Sequence, residues 1–206
     1  MNMIPQNFIN VLKNEIKNVI NDKVDVFIDT IADVFNSNNS LDKYTNVFIT
    51  ADRTTKELIL SIIKTLLENI DNHFKCSEVR IKNYVVNKSN VPRTITTIFG
   101  DLTFYRTYYQ SRFDNSLHFL LDESLGLEKY DKYDHLVKSL AIDNAFNTNQ
   151  KKAGEIIGKQ ISFLTQLFDK NAIKNIPRQS INNWINEWNV PDFEYPERDT
   201  PNTLFI

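Results

Sequence analysis

The sequence predicts an α+β fold that is mainly helical: N-terminal helices, a central β-hairpin or small antiparallel sheet, then a helical region of helix-turn-helix type. Three observations predict it. Apolar residues recur at spacings of three and four through residues 6–35 and again from Leu58 to Phe74. A β-branched and aromatic run then replaces that period as far as Tyr109. The helical period returns from Asp134 onward. These changes divide the chain into a helical region 1–76, a hairpin module 77–112, a second helical region 113–190 and an extended tail 191–206.

The first stripe (Phe8, Leu12, Ile16, Val19, Ile20, Phe27, Ile31) forms one long or two shorter amphipathic helices. Residues 36–45 are a polar break. Thr54 or Thr55 is placed as the cap of the next helix, whose stripe of Leu58, Ile62, Ile63, Leu66, Leu67, Ile70 and Phe74 is core or an oligomer seam. Val79, Ile81, Val85 and Val86 favour a strand. Arg93–Phe99 and Leu102–Tyr109 flank Gly100-Asp101, a hairpin signal in which glycine supplies the positive φ of a tight turn. Alternation puts Phe104, Arg106 and Tyr108 on one face and Tyr105, Thr107 and Tyr109 on the other. Helices follow from Asp134 through Phe146, from Lys151 to about Phe168, and from Pro177 or Arg178 through Trp188. Pro191 and Pro196 force the tail to be extended, and Thr203-Leu204-Phe205-Ile206 reads as the start of a strand.

Composition excludes several classes. At 206 residues, 41% hydrophobic and 24% charged, the chain is long and apolar enough for a core. The single cysteine, Cys76, rules out an internal disulfide framework and points to a reducing compartment. No apolar run reaches the roughly 18–20 residues of a membrane span. The N-terminus lacks a basic segment followed by an apolar one, so no signal peptide is expected and the protein reads as soluble and cytoplasmic. The net charge of -2 conceals blocks. Residues 79–112 carry six basic side chains against one acidic, and residues 151–188 six against three. Local basic patches of this kind suit nucleic acid.

The helix from Arg178 carries the most specific chemistry. Arg178, Gln179, Ser180, Asn182 and Asn183 lie at its start, and Ile181, Trp184, Ile185 and Trp188 form its apolar face. Arginine pairs with guanine and glutamine or asparagine with adenine in bidentate fashion, and a recognition helix reads with its N-terminal residues. Lys151 and Lys152 open the preceding helix and add cations. The link between the two helices exceeds the usual three- or four-residue turn. In the hairpin, Arg93 and Arg106 interleave with tyrosines, a mixture that follows phosphates or stacks on bases. Metal and nucleophile chemistry is poorly supplied: Cys76, His73, His118 and His135 are scattered. The acidic set Asp122, Glu123, Glu128, Asp131 and Asp134 reads as helix caps (Asp122, Asp134) and solvated carboxylates rather than a two-metal site.

The run from Arg93-Thr94 through Phe99-Gly100, Phe104-Tyr105-Arg106 and Tyr108-Tyr109 resembles a segment of the ISLre-type bacterial insertion-sequence transposases, a family long catalogued only as uncharacterised. Leu121-Asp122, Leu125-Gly126-Leu127, Lys152-Ala153-Gly154, Arg178-Gln179-Ser180 and Asn183-Trp184-Ile185 continue the likeness in order, over about residues 75–206. The resemblance implies the DNA-recognising N-terminal part of a DDE-type transposase. Its acidic triad and divalent metal would belong to a catalytic domain outside this chain, so no catalytic residue and no cofactor is carried over. The implied partner is double-stranded DNA at the element's terminal repeats, with room for a homodimer through the N-terminal helices. The rival expectation is a helical protein–protein assembly module that ignores DNA.

Overall fold

Two long helices lead the chain, because their apolar stripes run unbroken past every weak helix former they contain. The computed structural model describes residues 6–36, 43–168 and 175–187. Helix α1 is one continuous element, Gln6–Asn36, and α2 runs Lys43–Cys76 beside it. Thr54 is not the cap of α2, which starts eleven residues earlier. Its hydroxyl donates to the carbonyl of Thr50 (2.8 Å), the back-bond that lets threonine sit inside a helix. His73 near the end of α2 lies against Phe8 of α1, ring centroids 4.5 Å apart.

A short helix α3 (Glu78–Asn83) stands where a strand was expected. Ser77 decides it locally: its hydroxyl accepts the amide of Arg80, an N-cap that outweighs the β preference of Val79 and Ile81. Strand β1 (Tyr84–Thr97) then pairs antiparallel with β2 (Gly100–Ser111), and β2 with the two-residue β3 (Leu117–His118). The hairpin is present, but its loop is Ile98-Phe99 rather than Gly100-Asp101. The Thr97 hydroxyl accepts the Phe99 amide (3.1 Å) and donates to the Gly100 carbonyl (2.9 Å), closing the turn one step earlier. Gly100 still supplies the positive φ, at +122°. Asp101 accepts the Thr96 hydroxyl (2.8 Å).

The ladder shifts register between Lys88 and Val91, which lie opposite Tyr108 and Arg106. Two residues of β1 therefore face the single Thr107, a bulge in which Asn90 adopts φ 57°. The Thr107 amide is met from α2 instead: Asp71 accepts both it (3.0 Å) and the Thr107 hydroxyl (2.6 Å). Glu68, one turn earlier on α2, accepts the Tyr105 amide (3.1 Å). Simple alternation fails here for the same reason. The burial phase changes there: Phe104, Arg106, Thr107 and Tyr109 are all buried, and α2 meets Phe104 through Leu67 and Thr107 through Asp71. Burial pushes the Tyr109 phenol up to about 12, with Asp71 adding to the shift.

Helices α4 (Leu120–Ser124), α5 (His135–Asn147), α6 (Gln150–Phe168) and α7 (Arg178–Glu187) complete the fold. Two cores result. Leu67, Ile95, Leu102, Phe104 and Leu121 join α2, the hairpin and α4, with Ile63, Ile70 and Phe74 packed against them. The α2 stripe is thus core along its second half. Val137, Ala141, Ala153, Ile157, Ile176 and Ile181 join α5, α6 and α7. Each fully buried valine, leucine or isoleucine among them contributes about 1.5–3 kcal/mol. The expected strand at Thr203–Ile206, the extended tail and Trp188 lie outside the described residues.

Candidate nucleic-acid interface

Helices α5, α6 and α7 form a three-helix unit, and α7 is its outermost polar face. Ile181 is wholly buried, Trp184 and Ile185 pack beside it, and Arg178, Gln179 and Asn183 are exposed. Ser180 and Asn182 are half-buried on the flanks. Asn149 caps α6, its side chain accepting the Lys152 amide (2.9 Å). The next residue, Gln150, reaches across to α7: it accepts from Arg178 Nε (3.1 Å) and donates to Asn182 Oδ1 (3.0 Å). Gln179 donates to Asn183 (2.8 Å) along the crest. Lys151 and Lys152 are exposed at the same end. Lys151, Gln150 and Arg178 line one cleft of about 630 Å³ beside α7. The structure therefore brings together seven of the nine side chains singled out from sequence: Lys151, Lys152, Arg178, Gln179, Ser180, Asn182 and Asn183.

The approach of α7 to α6 depends on Gly154. A Cβ at that position would stand 2.2 Å from the Ile176 carbonyl oxygen. The backbone passes close enough for the Ile176 amide to reach the Gly154 carbonyl at 3.4 Å.

The other two, Arg93 and Arg106, go elsewhere. Both are buried on the hairpin face under α4, their guanidinium groups on Asp122. Arg93 Nη1 lies 2.6 Å from Asp122 Oδ2, and Arg106 makes the same carboxylate contact while stacking on Phe119 with 3.6 Å to the ring centroid. Phosphate contact would require both to leave the core, so the DNA-contacting role expected for them does not fit this geometry. Burial lowers both arginines, Arg106 to about 10 with help from the Arg93 charge, which leaves it charged at neutral pH. Asp122 is accordingly an ion-pair centre rather than a helix cap, and Phe119 takes the N-cap position of α4. Asp134 does cap its helix, accepting the Val137 amide (2.6 Å).

Sequence reasoning missed Gln150 and the turn that Arg93 holds. Arg93 Nη2 donates to the carbonyls of Glu128 (2.7 Å) and Asp131 (3.2 Å), and Asp131 pairs with Lys138 (2.5 Å). Asp122, Asp131 and Asp134 thus serve structure, and among the described residues no group of three or more histidine, cysteine or carboxylate side chains could hold a metal. No helix of the described residues is long and apolar enough to cross a membrane.

Comparison with known proteins agrees with the span of this arrangement. A protein of Caldanaerobacter subterraneus subsp. tengcongensis, named as a UPF0236 protein under eleven locus designations of that genome, is 30% identical over 146 residues. A second from the same organism, named under four loci, is 27% identical over 146 residues, and a third is 28% identical over 134. The first match covers 70% of this chain but 30% of the relative, so the chain spans under a third of that relative's length. No solved structure matches the chain. The model of the uncharacterised protein family UPF0236 matches residues 43–191, from the start of α2 past the end of α7. The chain belongs to the UPF0236 family.

Proposed function

We propose that this chain is the DNA-recognising N-terminal part of an ISLre-type insertion-sequence transposase, which binds the element's ends without itself carrying the catalytic residues. The observation that carries the reading is the exposed polar crest of α7, braced by Gln150 and bordered by Lys151 and Lys152 at the start of α6. A helix N-terminus with two lysines suits phosphate, and a braced arginine–glutamine–asparagine row suits base edges in the major groove. The relatives add support of another kind. One protein name spread over eleven loci of a single genome is what an element that copies itself leaves behind.

A salt titration of binding tests this, using duplexes from the flanks of the encoding gene. The affinity is expected to fall steeply with salt. Lys151→Ala/Lys152→Ala is expected to flatten the log–log slope by about 2, at roughly 0.9 per phosphate contact. Arg178→Ala is expected to lose about 1–3 kcal/mol of preference for the correct duplex while keeping most of the salt slope. A flat slope for the unmodified chain, or no binding to any duplex, overturns the proposal.

One observation favours a second reading, a helical assembly module. Val24, Ile28 and Phe35 of α1 and Tyr44 and Phe48 of α2 are exposed apolar side chains on the long hairpin. Light scattering on the same samples separates the two: an oligomer indifferent to duplex supports assembly alone. A dimer that binds duplex joins both readings.

A further inference from the structure

The turn Glu128–Asp131 stands beside α7 on the side opposite Lys151. Three sets of bonds fix it. Its two ends are tied to one buried guanidinium, since Arg93 donates to both the Glu128 and Asp131 carbonyls. The turn closes on itself through the Asp131 amide and the Glu128 carbonyl (3.2 Å). Just beyond it, the Lys132 carbonyl accepts the Thr96 amide (2.8 Å) and the Asp134 amide donates to the Thr96 carbonyl (3.1 Å). Tyr133 then meets Trp184 of α7 edge-on, 5.3 Å between ring centroids. The backbone of this turn is therefore held by the hairpin, and Tyr133 carries it against α7.

What it presents outward is unusual for so constrained a segment. Tyr130 at the tip is 81% exposed, with the Lys129 ammonium 5.4 Å from its ring centroid, and Lys132 is exposed next to it. Together with Ser180, Asn183, Trp184 and Glu187 the turn encloses a cleft of about 430 Å³. The α7 crest thus runs between two walls: Lys151 and Gln150 on one side, Lys129 and Tyr130 on the other.

We propose that the Lys129–Tyr130 turn is a second nucleic-acid contact, gripping the phosphate strand across the major groove from the one held by Lys151 and Lys152. This rests on the reading of α7 as the recognition helix and adds the other side of its footprint. A helix in a groove about 12 Å wide has a sugar–phosphate strand on each flank, so flanking walls meet backbone rather than bases. Lysine neutralises a phosphate, and the tyrosine hydroxyl donates to one. Glu128 and Glu187 also line the cleft and repel phosphate, which leaves the tip as the point of contact. A turn already held by Arg93 loses little entropy on binding, and preorganisation of this kind favours affinity.

The experiment compares the full chain with Lys129→Ala/Tyr130→Ala on a fluorescein-labelled, mixed-sequence short duplex, over a range of salt. Both side chains are exposed, so circular dichroism and the melting temperature are expected to be unchanged. Affinity is expected to fall about thirtyfold or more, from the loss of two hydrogen bonds to phosphate. The salt slope is expected to flatten by about 0.9. The loss is expected to be the same on every duplex sequence, unlike that of Arg178→Ala. If the unmodified chain binds duplex and the double variant binds equally well with the same slope, the second contact is overturned while the α7 reading stands. If the unmodified chain binds no duplex, both fall.

Discussion

Replacing Asp122 with alanine is expected to destabilise the fold by about 3–5 kcal/mol, the range for removing one partner of a buried ion pair. Two guanidinium groups converge on this carboxylate, from neighbouring positions on paired strands, and all three residues are less than 9% exposed. Without Asp122, two like charges face each other with the intervening anion gone. For a chain of this size the loss corresponds to a fall in melting temperature of roughly 6–20 °C. Thermal unfolding followed by circular dichroism measures it. The contrast with a triple replacement, Arg93→Met, Arg106→Met and Asp122→Leu, is instructive. Removing all the charges together is often far less costly than removing one. Here recovery is expected to be partial, because the Glu128 and Asp131 carbonyls would lose the donor that Arg93 provides. An Asp122→Ala protein as stable as the parent would show that the buried charges do not act as a unit.

Gly154→Ala is expected to reverse the usual sign of its substitution. In a helix interior, alanine is ordinarily preferred over glycine by roughly 0.5–1 kcal/mol. At Gly154 the added methyl meets the backbone oxygen of Ile176, which belongs to the segment leading into α7 and cannot swing aside as a side-chain end can. Forcing α6 and that segment apart opens the core around Ile157, Ile176 and Ile181. A net loss of about 1–3 kcal/mol is expected from this overpacking. Binding should suffer beyond what stability explains, because displaced α7 loses the Gln150 bonds that hold Arg178 and Asn182. Duplex affinity measured well below the melting temperature checks this: parent-like affinity there would mean that α7 keeps its seat.

Much of this was legible in the sequence because local preference and tertiary environment agree. The 3.6-residue period of α1, α2, α6 and α7 is also the pattern of burial, so the elements and most of their inner faces follow from spacing. The polar crest of α7 was equally readable, since Ile181, Trp184 and Ile185 fix which side is in and leave Arg178, Gln179 and Asn183 out. The misreadings share a cause: a distant or side-chain partner outweighed the local signal. Ser77 turned Val79 and Ile81 into a helix, and Thr97 moved the hairpin turn. Arg93 and Arg106 read as surface cations because charge is ordinarily exposed. The carboxylate that lets them be buried lies 29 residues beyond Arg93, and no spacing announces it. The pairing of Gln150 with α7 is likewise a contact across 32 residues that only the folded chain reveals.

The two cores meet through narrow ties, chiefly the backbone of Thr96 to residues 132 and 134 and the packing of Ile98 and Tyr133 on the helical side. A chain built this way is expected to open as two cooperative units rather than one. The hairpin with α2 can hold its ladder while the three-helix unit breathes, and amide exchange would then report two distinct opening energies. For the DNA-binding module proposed above, that division would be useful. On that reading, the three-helix unit would settle onto the duplex while the hairpin and α2 that carry it keep their ladder.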